Sequence, residues 1–322
     1  MRIAIPLTVL ATALACSLAT APAHARARVF VASYGNDSNP CTFGSPCKTF
    51  QQAVNVVDAG GEVTAIDSAG FGPINITKAV TITSPAGVEA GIVPVAGGDA
   101  IDITAGSTDA VVLRGLTLNG SGIGTNGIVF NSGGTLNVRD NVIQNFANNG
   151  INFVPTTQST LSVSNTVVAD NGVHGIAMKP NNSGSVVFVG TFTRVEAYHN
   201  GTSGIAVIGD LASTQTHQGV NAIAIDCVAT GNNYASTSTG FLATSSQGIA
   251  LFRLFRSTAA GNFVGASAVS TNNAVVVIGL SESNMELSRG PASASGTNAV
   301  VQSYGDNFTG GQTIAGSTTL TE

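Results

Sequence analysis

Val138-Arg139-Asp140-Asn141-Val142-Ile143, closed by Asn149-Gly150-Ile151, decides the fold, because the chain repeats the same layout along its length. Twenty-five residues on stands Val163-Ser164-Asn165-Thr166-Val167-Val168 through His174-Gly175-Ile176. Twenty-nine further comes Phe192-Thr193-Arg194-Val195-Glu196-Ala197 through Ser203-Gly204-Ile205. A repeat of this length, made of short apolar stretches and turn residues, marks a solenoid in which each repeat is one turn of the chain. The Leu/Asn grammar of leucine-rich repeats and the helical spacing of ankyrin or tetratricopeptide arrays are both missing. Segments such as Gly127-Ile128-Val129-Phe130 alternate in and out with period two, as strands do. Gly supplies 39 of 322 residues, and Asn, Ser and Thr fill most of the gaps, so the turns are loops.

Parallel strands about 4.8 Å apart let equivalent residues of successive turns lie over one another. Leu118, Ile143, Val168, Ala197, Ala229 and Ala259 then form one inward row. Ile128, Ile151, Ile176 and Ile205 form a second, with Phe241 in the same role. Three residues after the first row come Asn171, Asn200, Asn232 and Asn262, with Phe146 one turn earlier. Asn tolerates the left-handed backbone of a sharp corner, and its amide can bond to the copy above. This row is therefore expected to be a structural ladder.

The grammar resembles the right-handed parallel β-helix of the pectin-lyase-like superfamily. The resemblance runs from roughly Val29 to the C-terminus. It is carried by Gly72-Pro73-Ile74-Asn75-Ile76-Thr77-Lys78-Ala79-Val80-Thr81-Ile82-Thr83, by Val112-Leu113-Arg114-Gly115-Leu116-Thr117-Leu118 and by Asn126-Gly127-Ile128. It implies an all-β, single-stranded right-handed parallel β-helix over residues 61–322, with roughly ten rungs. Residues 26–60 are expected to form an N-terminal cap. There Thr49-Phe50-Gln51-Gln52 reads as a capping box, Thr49 as cap and Gln52 bonding back. Phe50, Ala53, Val54 and Val57 recur at helical spacing until Gly60-Gly61. Such a helix would cover the apolar core and strand edges that the first rung exposes.

Residues 1–25 read as a secretory leader: Met1-Arg2, an apolar run from Ile3 to Leu18, then Ala23-His24-Ala25. The expected location is secreted or periplasmic. A lipoprotein reading through Cys16 is disfavoured, because Ala13-Leu14-Ala15 lacks Leu at the third position back. No other apolar run is long enough to span a membrane. Cys41 and Cys47 flank a short hop containing Gly44 and Pro46, which suits a disulfide in an oxidising compartment. Cys227 falls in the inward row with Leu116, Thr166 and Val195 and is expected to be a small buried filler.

Only 9% of residues are charged and the chain carries −5. No basic run serves nucleic acid, and the sign opposes polyanionic polysaccharides unless a cation bridges them. Aromatics are 6% with no Trp, so sugar-stacking platforms are few. A neutral or weakly polar glycan, free or on a cell surface, is the expected partner. Superfamily members that cleave polysaccharides gather carboxylates for calcium beside an Arg or Lys base, or carry paired aspartates followed by Gly-His-Gly. This chain has no Asp-Asp pair and offers only Val173-His174-Gly175. His174 aligns with the turn residues Asn149 and Ser203 and is read as one of them. Asp99, Asp102 and Asp109 are the densest carboxylates and the one place to consider Ca²⁺, but they read as an ordinary rung opening, so no cofactor is expected.

Two stacked sets remain. Asn145, Asp170 and His199 share the position just before the corner. Asp170 is placed to orient the His199 imidazole for general-base work, with Glu196 on a neighbouring strand. Arg194, Asp226 and Arg256, preceded by Asp140 and Asn165, alternate in sign at rung spacing. They are candidates for binding or for an exposed ion-pair ladder worth little per pair. An outward apolar face around Val129, Ala177, Ala206 and Leu242 raises self-association. The leading expectation is a secreted, non-catalytic binding or surface-associated scaffold for glycans. The alternatives are a polysaccharide lyase or glycoside hydrolase with an atypical site, and a self-associating matrix or adhesin component.

Overall fold

The computed structural model describes residues 26–181, 186–210, 219–233, 238–286, 288–312, 314 and 317–319. The expected leader, with Cys16, lies outside the described residues. Every pairing between the named strands is parallel, and the chain winds as a solenoid. Ten first-ladder strands stack in succession from Gly61–Ala65 to Ala299–Ser303, in line with the roughly ten rungs expected. The turns are longer than the starting repeat: the left-handed corner residues Asp140, Asn165, Arg194, Asp226 and Arg256 fall 25, 29, 32 and 30 residues apart.

Each turn contributes to three ladders. The first stacks Arg28–Val31, Gly61–Ala65, Val80–Thr83, Ala110–Arg114 and Thr135–Arg139. The second stacks shorter strands such as Ala90–Ile92, Leu116–Asn119 and Val142–Gln144. In Thr160–Ala169 and Val187–Tyr198 one long strand serves both. The third ladder is a separate sheet of nine strands, from Ile74–Ile76 to Gly290–Ser295. Because side chains alternate and the stacking is in register, like sits on like. Leu118, Ile143, Val168, Ala197, Ala229 and Ala259 stand in one column, fully buried. Ile128, Ile151, Ile176, Ile205 and Phe241 stand in another. Phe130 and Phe153 stack face to face, centroids 4.9 Å apart.

Two corners flank the second ladder, and each turns on a single left-handed residue per rung. At the first these are Gly115, Asp140, Asn165, Arg194, Asp226, Arg256 and Glu282, with φ between 47° and 71°. The residue after each points inward. Asn141, Thr166, Cys227, Ser257 and Ser283 all donate to the carbonyl two residues back, bridging the left-handed residue. Cys227 is a buried free thiol in this column, and burial pushes its pKa up to about 11.

At the second corner the left-handed residues are Asn145, Asp170, His199, Gly231 and Gly261. The Asn row lies one residue later, so the chain does not turn on Asn as expected. It turns on the residue before, and the Asn behind points inward. Asn171, Asn200, Asn232 and Asn262 are at most 2% exposed. Nδ2 of Asn171 donates to Oδ1 of Asn200 (2.9 Å), Asn200 to Asn232 (2.9 Å) and Asn232 to Asn262 (3.1 Å).

The cap holds a helix, Phe50–Val56, with Phe50, Ala53 and Val54 buried. The Thr49 side chain accepts from the Gln52 amide. The reciprocal bond expected from Gln52 is made by Asp37, whose Oδ1 accepts from the amides of Lys48 (2.8 Å) and Thr49 (2.9 Å). The helix stops at Val57, which is extended, rather than at Gly60. A disulfide joins Cys41 to Cys47. Arg28–Val31 already pairs with Gly61–Ala65, so the first ladder begins inside the segment assigned to the cap. The outward apolar face also differs from expectation. Val129, Ala177 and Ala206 are buried and Leu242 half-buried, so no open patch remains there.

Candidate functional site

Of the expected catalytic residues, the structure brings two together. Asp170 and His199 occupy equivalent corner positions one rung apart, with Nδ1 of His199 3.5 Å from Oδ1 of Asp170. The imidazole is two-thirds exposed and meets Tyr198 edge-on at 5.3 Å. Both residues line an open groove of about 650 Å³ that runs over four rungs, with Asn119, Ser121 and Asn145 below them. Glu196 is exposed on the second ladder and does not line this groove.

The binding candidates form a different feature. Arg256 grips Asp226 through two bonds (2.8 and 3.1 Å), which holds the Asp226 carboxyl below the usual carboxylate range. Arg194 turns the other way and donates to Asn165 (2.6 Å), and Asn165 donates to Asp140 (3.1 Å). Arg114 also reaches Asp140 (3.2 Å). This column is exposed and its charges answer one another along the first corner. Its hydrogen-bonding groups are engaged within the column.

The expected calcium candidates are spread among separate tasks. Oδ1 of Asp99 accepts from the amide and side chain of Asn126, and Asp109 accepts from the Gly106 amide. Asp102 stands on the outer face of the third ladder, its carboxyl pushed up by burial and then by Asp99. Among the described residues no three His, Cys, Asp or Glu gather as metal ligands do.

A second concavity was not singled out as a site from the sequence. It is a cleft of about 770 Å³ on the outer face of the third ladder. Ala177, Val154 and Ile208 provide apolar wall, and Asn131, Asn152, Asn181, Lys179 and Asp210 provide polar groups. His174 lies in its wall at the end of a polar stack. Asn126 accepts from Asn149, and Asn149 accepts from the His174 amide (3.3 Å). The imidazole is largely buried, which pushes its pKa down to about 4, helped by the Lys179 ammonium. Among the described residues its Nδ1 has no hydrogen-bond partner. Asp210 is engaged by Ser246 (2.6 and 2.8 Å). By contrast, the side chains of Asn131, Asn152, Asn181 and Lys179 make no hydrogen bond or ion pair among the described residues. Polar groups held together and unspent in a cleft are what a ligand site supplies. One sequence signal did point here. The 29- and 32-residue repeats carry their extra residues after third-ladder strands, as between Met178 and Val187, and insertions on one face of a solenoid often build its binding face.

No family model and no curated protein matches the chain. Among solved structures it is similar to a pectate lyase, Pel9A, at 17% identity over 91% of this chain and 76% of that one, with a TM-score of 0.59. It is also similar to ORF18 of Geobacillus virus E2, at 13% identity over 99% of this chain and a TM-score of 0.53. The chain spans 64% of that viral protein's length. These likenesses establish the fold: a right-handed parallel β-helix of the pectin-lyase type.

Proposed function

We propose that the protein is a secreted glycan-binding solenoid whose third-ladder cleft holds a short run of neutral polysaccharide. The observation that carries this reading is the unspent capacity of Asn131, Asn152, Asn181 and Lys179 beside the apolar Val154, Ala177 and Ile208. A sugar offers the matching surface, with hydroxyls at its edges and C–H groups on its faces. Each Asn amide both donates and accepts, so one residue type serves hydroxyls of either orientation. Lys179 and Asp210 cancel, and the net charge of −5 disfavours a polyuronate. The Cys41–Cys47 bridge suits an oxidising compartment. Among the described residues no helix is long and apolar enough to cross a membrane.

A second reading, polysaccharide cleavage, is favoured by His174. Its imidazole lies in the cleft wall and is neutral at pH 7, so it has a lone pair to accept a proton, although burial and the Lys179 ammonium make it a weak base. Isothermal titration of the purified protein against neutral and uronate oligosaccharides separates the two. Binding of a neutral series, weakened about tenfold by Asn152→Ala or Lys179→Ala with the fold intact, is the expected result. Depolymerisation abolished by His174→Asn would establish the enzyme instead.

A further inference from the structure

We infer that the Asp170–His199 groove is a second contact for the same glycan chain, so that the ligand is an extended neutral polymer crossing from the cleft over the corner. This rests on the glycan-binding reading and adds to it where the polymer goes and how long it must be.

Three observations carry it. First, the two concavities flank one turn of the chain. Asn145 and Asn149, and Asp170 and His174, mark its two sides, with the groove at the first of each pair and the cleft at the second. Four residues reach at most about 14 Å, a distance that a few sugar units cover. Second, the two concavities adjoin with no residue between them: Gly172 lines the groove and Val173 the cleft, and Gly172 is confined to glycine because a Cβ there would overlap the Ala147 carbonyl oxygen of the rung below. Third, the groove keeps side chains at a strained position. Asn145, Asp170 and His199 hold left-handed backbone with φ of 53–62°, while the next two rungs place Gly231 and Gly261 there. A side chain in that conformation is strained relative to Gly. At the first corner Arg256 closes a two-bond ion pair on Asp226. Here His199 stands 3.5 Å from Asp170 and Asn145 donates to Asn119 at 3.2 Å, and all three corner residues line the groove, open to a ligand. Rungs about 4.8 Å apart space them at about the length of one hexose, and the groove's single carboxylate argues for a neutral one.

The test uses cellobiose, cellohexaose, mannobiose and mannohexaose by isothermal titration against the full protein. Asp170→Gly and His199→Gly are suitable variants, since glycine already fills this position two rungs further on. For at least one series, the hexamer should bind the wild type about tenfold tighter than the dimer. The glycine variants should lose that gain and bind the dimer unchanged. Lys179→Ala should weaken both lengths. If wild type binds both lengths equally, or the glycine variants keep the gain, the inference fails and the cleft stands alone. If wild type binds neither length of either series, the glycan reading fails with it.

Discussion

Two sets of asparagines in this molecule share a chemistry and differ in everything else. Asn171, Asn200, Asn232 and Asn262 are buried in a corner, and each amide is bonded to its copy and to backbone. Asn131, Asn152 and Asn181 sit at the third-ladder cleft with no side-chain partner among the described residues. A buried amide that loses its partner keeps its full desolvation penalty, whereas a solvated one loses little. The first set should therefore govern stability and the second should govern binding.

The largest effect is expected at Asn200. Its Oδ1 accepts from both the amide and Nδ2 of Asn171 (3.3 and 2.9 Å), and its Nδ2 donates to Asn232 and to the Val168 carbonyl. Asn200→Ala strands two buried donors at 1–3 kcal/mol each, about 4 kcal/mol in total. Urea unfolding should show this as a clear fall in the midpoint. An unfolding free energy within about 0.5 kcal/mol of wild type would show that the ladder is ornamental and break the comparison.

The next effect comes from His174, whose amide donates to Asn149 in the stack that ends at the cleft. Its folded pKa of about 4 lies below the ordinary value of 6.5. As pH falls through 6.5 the unfolded chain takes up a proton that the folded imidazole refuses until about pH 4. Stability is thus full above pH 6.5 and declines between 6.5 and 4, by up to about 3 kcal/mol from this group. Unfolding free energies of wild type and His174→Asn, measured across that window, should diverge by this amount. Parallel curves would mean that the imidazole is not held in its buried, neutral form.

The coil was readable from the sequence because its signal is redundant. Every rung restates the in-and-out alternation, and an error at Phe146 or Phe241 is corrected by the columns above and below. The cleft is stated once. Asn152 aligns with Val129 and Ala177 and resembles any outward residue, and Lys179 and Asp210 lie in stretches that follow no repeat. Their convergence depends on how connections of unequal length pass over the third ladder, which periodicity does not encode. The same reason hid the burial of Val129 and Ala206. His174 was read as a turn residue because its column contains Asn149 and Ser203, and its backbone amide does take that role. Its side chain is set apart by depth and by Lys179, both products of tertiary structure. Asp170 and His199 were readable as a pair because adjacent rungs at one corner position must stack.

The smallest stability effect is expected at Asn152, and its smallness is what makes it informative. Asn152 stands opposite Val129 on one side and Ala177 on the other, half-buried, with its side chain on the outer face. No side-chain hydrogen bond among the described residues is broken by Asn152→Ala, so no buried donor is stranded, and the same column already holds Ala177 and Ala206 on the next two rungs. The unfolding free energy should stay within about 0.5 kcal/mol of wild type, the range of ordinary surface changes. A loss approaching that of Asn200→Ala would show that the Asn152 amide is engaged in the fold. It would then have no capacity to offer a ligand, and the distinction between the two sets of asparagines would collapse. A near-silent melt combined with weakened glycan binding would place the residue in the cleft's recognition surface alone.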